Sequence, residues 1–538
     1  MTFKKISALG NFPAVQLCSI LLMGLLFITI KLDGVSLDQT LWAEDGPIFI
    51  SQARDYGLAT LLIPYNGYYL LYPRLIAWLS CAFDLAATPK IFFVGWVFAF
   101  FSLIFTLFQK ARQFTASYLE IAAVCLLAIA LPHSCEVFFT LTNAQWMLGC
   151  SLTLLLLVPS NAPATTLEKI ILGMACLTGP FTLVLVPLAI VQMSLLRDWP
   201  QRKNIYLWIA AGAILQISAL VFSKRLSEGA MDKDLNHWGA ALWHFFSFDA
   251  SQPLILWVCA TFWLVAVYGW GQQWHKLDLR NCNSPASISL LLCLAAALFF
   301  LAGLLAGKTA PQQLHPLGGG SRYFFIPYQL LLLSVWLVLL KQPRLKLLLM
   351  LAWSVLSYQG FTQLSRDDYH FQAYAQFAKQ NPHVTLPINP QIEKATGWNI
   401  DFKRQLPDQI GASTHSFYLD TENVQLQQLM IFPGPFIAPT YFALNEQAAF
   451  ILSSKQSCAQ VQYLGFQAKI ARYVGGWVDL SWSPTTEFSV QNTIRRYYPA
   501  GDVLVHFAFP AAGVRHLRFA PMSKKGPVQI LEISIWCL

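Results

Sequence analysis

NFPAVQLCSILLMGLLFITIKLDGVSLDQTLWAEDGPIFISQARDYG, residues 11–57, contains an apolar run and, shortly after it, two adjacent carboxylates, Glu44 and Asp45. A run of about twenty mostly apolar residues is long enough to span a bilayer. A cluster of acids just beyond such a run lies at a membrane surface. The whole chain has the same character. Of its 538 residues, 56% are hydrophobic and only 12% are charged, about half the charged share of an ordinary soluble domain, which is roughly 25%. That balance predicts a polytopic membrane protein. The formal net charge of +9 then belongs to basic cytoplasmic loops rather than to nucleic-acid binding. Lys4 and Lys5 before the first run imitate a signal peptide. No small-residue cleavage site follows, so the run is expected to stay as an anchor.

Hydropathy predicts roughly eleven spans, near 13–32, 91–108, 117–132, 147–160, 167–179, 180–196, 204–222, 253–270, 286–306, 323–340 and 345–361. The fifth and sixth are separated at Thr178-Gly179-Pro180, because helix interiors disfavour Gly and Pro. Lys110, Arg112, Lys169, Arg197, Arg202, Lys203, Lys276, Arg280, Lys341, Arg344 and Lys346 all fall on one side, the cytoplasmic one, if residues 68–86 do not cross. That stretch carries Pro73 and Arg74 in mid-run, and an Arg at the centre of a span is costly. A helix lying in the interface is expected, with Arg74 turned to the head groups.

This layout puts the N-terminus in the cytoplasm and everything after residue 361 outside. The expected organisation is a membrane domain over 1–361, with outer loops 33–90, 132–146, 223–252 and 307–322. A soluble extracytoplasmic β-rich domain over 362–538 follows, of sandwich type. Runs such as VLVHFAF (503–509) and VQILEISIW (528–536) have the alternation of half-buried strands. Of the 11 cysteines, only Cys458 and Cys537 lie in this polar part, where export would allow one disulfide.

The outer loops gather the polar residues with chemistry to offer. They comprise Glu44 and Asp45, PYNGYYLLYPR (64–74) with Tyr65 and Arg74, PHSCEVFFTLTNAQW (132–146), LTGPF (177–181) and KTAPQQLHPLGGGSRYFFIP (308–327). Adjacent carboxylates in a partly desolvated site suit a general base. Asp45 also suits a helix cap ahead of Pro47, and the two roles are compatible. Arg74 and Arg322 read equally as interfacial anchors or as a phosphate site, since a guanidinium forks onto phosphate. Tyr72 and Tyr323 flank them. Glu136, Asn143, Gln145 and Trp146 suit a sugar ring, with hydroxyls on the polar groups and the apolar face on the indole. Asn143 and Gln145 read equally as caps of the next span. His133 and His315 lack partners with metal spacing, so no metal is expected. No Walker loop, dinucleotide fingerprint, HExxH or GxSxG occurs, which argues against an ATP-driven pump and the common hydrolases.

WAEDGPIFISQARDYG followed by LLIPYNGYYLLYPRLIAWL, with LTNAQW, LTGPF and SRYFFIP, resembles the GT-C class of integral membrane glycosyltransferases. Within that class it is similar to the bacterial O-antigen-modifying glucosyltransferases of the GtrII type. The resemblance covers residues 1 to about 360 and does not extend to the C-terminal part. It implies a multi-pass enzyme of the bacterial inner membrane that takes a sugar from a polyprenyl-phosphate donor to a glycan acceptor at the outer face, with inversion. It also implies Asp45 or Glu44 as base, and Arg322 at the phosphate with Arg74 or Lys308. No nucleotide is implied. A divalent cation occurs in some members of the class, and no ligand set here calls for one. Two other readings use the same groups: a transporter or flippase of lipid-linked sugars, and an O-antigen ligase or polymerase. Spans nearly free of charge, with polar groups on one side, favour surface chemistry over transport.

Overall fold

The computed structural model describes residues 13–31, 34–133, 135–160, 163–196, 199–223, 231–274, 277, 284–359, 366–381, 383–391, 398–401, 417–418, 424–427, 429–432, 440–443, 448–453, 462–524 and 526–538. The topology markers Lys4, Lys5, Arg197, Lys276 and Arg280, and Cys458 of the expected disulfide, lie outside the described residues. Cys537 is disulfide-bonded.

Contacts divide the chain into two units. The first comprises Met1–Gly34, Leu61–Ile76 and Val94–Ser365. The second comprises Val35–Thr60, Ala77–Phe93 and Arg366–Leu538. The longest segments of the two units divide at Ser365/Arg366. Two pieces of the first outer loop nevertheless group with the C-terminal part.

The first unit is helical. Its helices are α1 (Pro13–Lys31), α5 (Tyr118–Ile129), α6 (Ala144–Leu157), α7 (Thr166–Cys176), α8 (Phe181–Leu196), α9 (Trp199–Phe222), α10 (Leu235–Ser247), α11 (Pro253–Gln273), α12 (Pro285–Ala306), α13 (Arg322–Val338) and α14 (Pro343–Tyr358). Between α1 and α5 come the short α2 (Ser51–Tyr56), which belongs to the second unit, and α3 (Leu71–Ser80) and α4 (Thr88–Ala111), which straddle the division. Among the described residues, five helices are long and apolar enough to cross a membrane, and four shorter apolar helices accompany them. The expected count of eleven is therefore not reproduced. Several expected spans, such as 117–132 and 147–160, form helices of 12 and 14 residues, shorter than the roughly 20 residues a bilayer core requires.

The break between α7 and α8 falls where the sequence places it. Gly179 has φ +80, a conformation open to glycine at little cost. Serine hydroxyls join the apolar helices. Ser289 of α12 and Ser334 of α13 share a 2.7 Å hydrogen bond, and Trp270 of α11 donates to both at 3.2 Å.

One end of this unit gathers charged groups expected in the cytoplasm. Lys110 donates to Ser160 (2.8 Å) and has Glu168 and Arg202 as charge neighbours. Arg202 donates to the Leu155 carbonyl at 3.1 Å, and Lys346 pairs with Glu120 at 2.5 Å.

The second unit is a β-sandwich, as the alternating runs predict. Strands β1 (Leu386–Pro387) and β2 (Asn399–Ile400) pair with each other. A five-stranded sheet has the order β10 (Thr493–Tyr498), β9 (Gly476–Ser483), β12 (His516–Ala520), β7 (Ala449–Ser453), β4 (Val424–Gln427). A six-stranded sheet has the path β11 (Gly501–Pro510), β8 (Tyr463–Arg472), β13 (Gly526–Cys537), β6 (Thr440–Ala443), β5 (Leu429–Phe432), with β3 (Phe417–Tyr418) pairing to β13. The sheets meet through aromatic rings, Phe466 against Phe519 (4.9 Å) and Trp482 stacked on Phe509 (4.9 Å). Helix α15 (Phe371–Gln380) lays Phe377 against Trp536 and His506.

Candidate functional site

In the first unit the predicted residues converge around two junctions. The first joins the loop before α6 to the start of α13. Both oxygens of Glu136 are engaged there. Oε2 accepts from the Ser321 hydroxyl and the Arg322 backbone N–H, each at 3.1 Å, and Oε1 pairs with the Arg322 guanidinium. The Glu136 carbonyl accepts from Asn143 Nδ2 (2.8 Å) and Thr140 Oγ1 (3.1 Å). Asn143 therefore holds its own loop in shape. It precedes α6 but makes no side-chain cap bond to it.

Arg322 also lies over the Tyr323 ring at 5.1 Å. Tyr323 meets Trp146 edge-on at 5.5 Å, and Trp146 meets Phe181 at 5.2 Å. The Arg322 side chain is 35% exposed and that of Glu136 15%. This is a charged, aromatic, half-open patch rather than a sealed pair.

The second junction stitches the 64–74 segment to the LTGPF turn. Asn66 and Gly67, both at positive φ, make a tight turn in which Tyr65 and Tyr68 exchange backbone bonds at 2.9 and 3.1 Å. Leu71 N–H donates to the Leu177 carbonyl (3.2 Å), Gly179 N–H to the Tyr69 carbonyl (2.8 Å) and Tyr72 N–H to Thr178 Oγ1 (3.0 Å). Gln216 of α9, fully buried, closes the junction through its amide. Oε1 accepts from Tyr69 N–H at 2.8 Å, and Nε2 donates to the Tyr69 carbonyl at 3.3 Å. A Cβ on Gly179 would come within 2.7 Å of Gln145 Oε1 and 2.8 Å of Phe181. Only glycine allows that approach, and it sets Gln145 beside the turn.

Arg74 differs from expectation. It is 0% exposed, so it does not turn outward to head groups. Burial draws its guanidinium down to about 10, which leaves it protonated at neutral pH. His315 belongs to a different cluster. Its Nδ1 is 2.9 Å from Asp249 Oδ2, and the other oxygen of Asp249 is 2.8 Å from His244 Nδ1. Asp249 and His244 were not anticipated, since neither carries a motif. Lys31, at the end of α1, was also missed. It is 6% exposed and lies 4.9 Å from the centre of the Phe138 ring, two residues beyond Glu136. A cation ending an apolar run is the signal that could have found it. Among the described residues no group of three or more His, Cys, Asp or Glu could hold a metal ion.

Glu44 and Asp45 lie in the second unit, where the turn that carries them is bound to residues 366–400. Trp42 bridges Asn389, and Ala43 N–H donates to the Asn389 carbonyl at 2.6 Å. Arg366 donates to the carbonyls of Gln39 (3.3 Å) and Thr40 (2.9 Å) and lies 5.0 Å over the Trp42 ring. Gly46 is pressed against Ile388 and Ile400, where a Cβ would come within 2.6 and 2.8 Å. Asp45 is fully buried, and its Oδ2 accepts from the Trp42 N–H at 3.0 Å. One oxygen thus shapes the turn on its upstream side; Asp45 makes no side-chain cap bond to the helix that follows, which the capping alternative had expected. Glu44 is half-buried.

No family model matches the chain, and no curated protein matches it. Among solved structures, it is similar to the arabinosyltransferase EmbB from Mycobacterium smegmatis. The identity is 10% and the TM-score 0.25, over 95% of this chain and 64% of that one, so this chain spans just under two thirds of EmbB's length. It is also similar to the enzymatically active domain of tailspike protein 4 of bacteriophage CBA120. There the identity is 14% and the TM-score 0.18, over 22% of this chain and 20% of that one. Neither TM-score is high enough to assign this chain a fold or an activity.

Proposed function

We propose that this protein is a membrane glycosyltransferase of GT-C type. It moves a sugar from a polyprenyl-phosphate donor to a hydroxyl of a glycan acceptor at the outer face of a bacterial cytoplasmic membrane. The observation that carries the reading is the half-open Glu136–Arg322–Tyr323–Trp146 patch, built from the loop before α6, the first turn of α6 and the start of α13, far apart in the chain. It combines a guanidinium able to take a phosphate, an acid that orients it, and aromatic surface for a sugar ring.

The reaction follows from simple chemistry. The acceptor oxygen forms a bond to the anomeric carbon while the bond from that carbon to the phosphate oxygen breaks. A carboxylate takes the hydroxyl proton, the role that the resemblance gives to Asp45 or Glu44, and polyprenyl phosphate leaves with the bonding pair. Arg322 meets the negative charge growing on the phosphate, with buried, cationic Arg74 as a second positive charge. Attack opposite the leaving group inverts the carbon. Tyr65, Asn143, Gln145, Trp146 and Tyr323 shape the sugar and lipid-phosphate subsites, and His315 braces the loop that carries Arg322. No nucleotide or metal takes part in this scheme.

The test is transfer by the purified full chain, using defined polyprenyl-phosphate sugars and soluble glycan acceptors. Wild type is expected to release polyprenyl phosphate in step with glycosylated acceptor. Arg322→Ala and Asp45→Asn are each expected to slow transfer by about 100-fold or more in protein that stays folded. Full-rate transfer by both variants, or donor movement across vesicles without product, overturns the assignment.

A further inference from the structure

In the helical unit, α10, α11, α12 and α13 leave a groove of about 360 Å³ between them. Helix α11 lines it with Trp263, Trp270 and Trp274, α12 with Ala297, and α13 with Leu331 and Val338. The polar groups along it are engaged by the protein. The Trp263 indole donates to the Phe246 carbonyl (2.8 Å), the Trp270 indole to Ser289 and Ser334 (3.2 Å each), and Gln273 Nε2 to the Val338 carbonyl (3.3 Å). A sugar or peptide entering here would lose its hydration with little to replace it. A hydrocarbon chain would not.

The position of the groove along the helices says where such a chain comes from. Leu331 and Val338 follow Arg322 by nine and sixteen residues, about 14 and 24 Å along α13. The groove therefore lies in the half of α13 remote from Arg322. Along α11 it runs from Trp263 to Trp274, eleven residues or about 16 Å. One leaflet of a bilayer core is about 15 Å thick. The rim is open, with Phe246 50% and Trp274 69% exposed. Beyond the remote end, the α13–α14 turn carries Lys341 and the first turn of α14 carries Arg344, both exposed. No acidic residue occurs between Arg322 and Tyr358, so that end is cationic.

We propose that this groove holds one acyl chain of an anionic phospholipid from the leaflet opposite to Arg322, with the head-group phosphate beside Lys341 and Arg344. The groove supplies hydrocarbon contact over the depth of one leaflet, and basic side chains at a membrane surface attract anionic lipids. A lipid whose phosphate met Arg322 would enter from the other end of α13. The inference rests on α11 and α12 crossing a membrane and not on the transfer reading.

The test is native mass spectrometry of the full chain in detergent, with added dioleoyl phosphatidylglycerol, dioleoyl phosphatidylcholine or undecaprenyl phosphate. Retention of one phosphatidylglycerol per chain is expected, with phosphatidylcholine weaker by roughly tenfold. Ala297→Phe puts a ring in the mouth of the groove and is expected to weaken phosphatidylglycerol by about tenfold. Lys341→Gln is expected to weaken it by about fivefold and to leave phosphatidylcholine unchanged. Both positions are exposed, so both variants fold. Absence of retained phosphatidylglycerol, equal retention of phosphatidylcholine, or indifference to either substitution overturns the proposal. So does displacement of phosphatidylglycerol by an equal concentration of undecaprenyl phosphate, which would give the groove to a polyprenyl chain.

Discussion

The β-sandwich and the α11–α13 helices bury polar groups in opposite ways. In the β-sandwich, Arg496 is 2% exposed, and its guanidinium is met on every side. Nη1 donates to the carbonyls of Thr385 (3.1 Å) and His506 (2.8 Å). Nη2 donates to Thr385 Oγ1 (3.0 Å) and Asn399 Oδ1 (2.9 Å), and the rings of Tyr374 and Tyr498 lie 5.6 and 5.3 Å away. In the helical unit, the contacts between α11, α12 and α13 are made by neutral hydroxyls and an indole N–H, each sharing partners with the others. A packed sandwich core tolerates a buried charge only when its donors are saturated. Helices in lipid gain little from each polar contact, because the separated helices also find partners. Between these extremes stands Arg322, paired but one-third exposed.

The sharpest way to break this contrast is Arg496→Met. Four hydrogen bonds vanish and their partners stay buried, so a loss of about 3–5 kcal/mol is expected. It would be read as faster hydrogen exchange across residues 493–510, with the helical unit unchanged. A loss below about 1 kcal/mol would show that the saturation is incidental.

The next effect depends on pH. His506 is 1% exposed. Burial first, and then the nearby Arg496 charge, depress its imidazole from 6.5 to about 3. The unfolded chain therefore binds a proton between those values that the folded chain refuses. The stability involved is complete above about 6.5 and declines as pH falls toward 3, by about 1.4 kcal/mol per pH unit. Urea titrations at pH 7 and pH 5 should show this slope in wild type and lose it in His506→Leu. The smallest effect belongs to the helical unit. A double-mutant cycle of Ser289→Ala and Ser334→Ala is expected to return a coupling of about 0.6 kcal/mol. A coupling of several kcal/mol would erase the contrast.

Legibility in the sequence followed the range of each interaction. The α7–α8 break was visible because Gly179 and Pro180 act locally. The strands of the C-terminal part were visible because alternation is a local period. Arg496 was not anticipated. Adjacent residues on a strand face opposite ways, so one of Arg495 and Arg496 had to point inward, and nothing local says that Thr385 and Asn399 would receive it. The Glu136–Arg322 pair was anticipated as two candidates on one side but not as a bond. The burial of Arg74 was missed because a lone Arg in an apolar run looks the same whether it faces head groups or an interior. The attachment of the WAEDG turn to residues 366–400 had no local signal at all. Trp42, Gly46 and Arg366 each have ordinary surroundings in the chain, and only folding brings them together.

That attachment has a mechanical consequence. Arg366 gripping the carbonyls of Gln39 and Thr40, Asn389 zipped to Trp42 and Ala43, and two isoleucines wedged on Gly46 make the acidic turn and a segment more than three hundred residues downstream a single rigid part. Tilting or shearing 366–400 would carry Asp45 with it. The C-terminal part therefore acts as the jig in which those carboxylates are set, and shortening the chain at its polar end would undo the WAEDG turn as well.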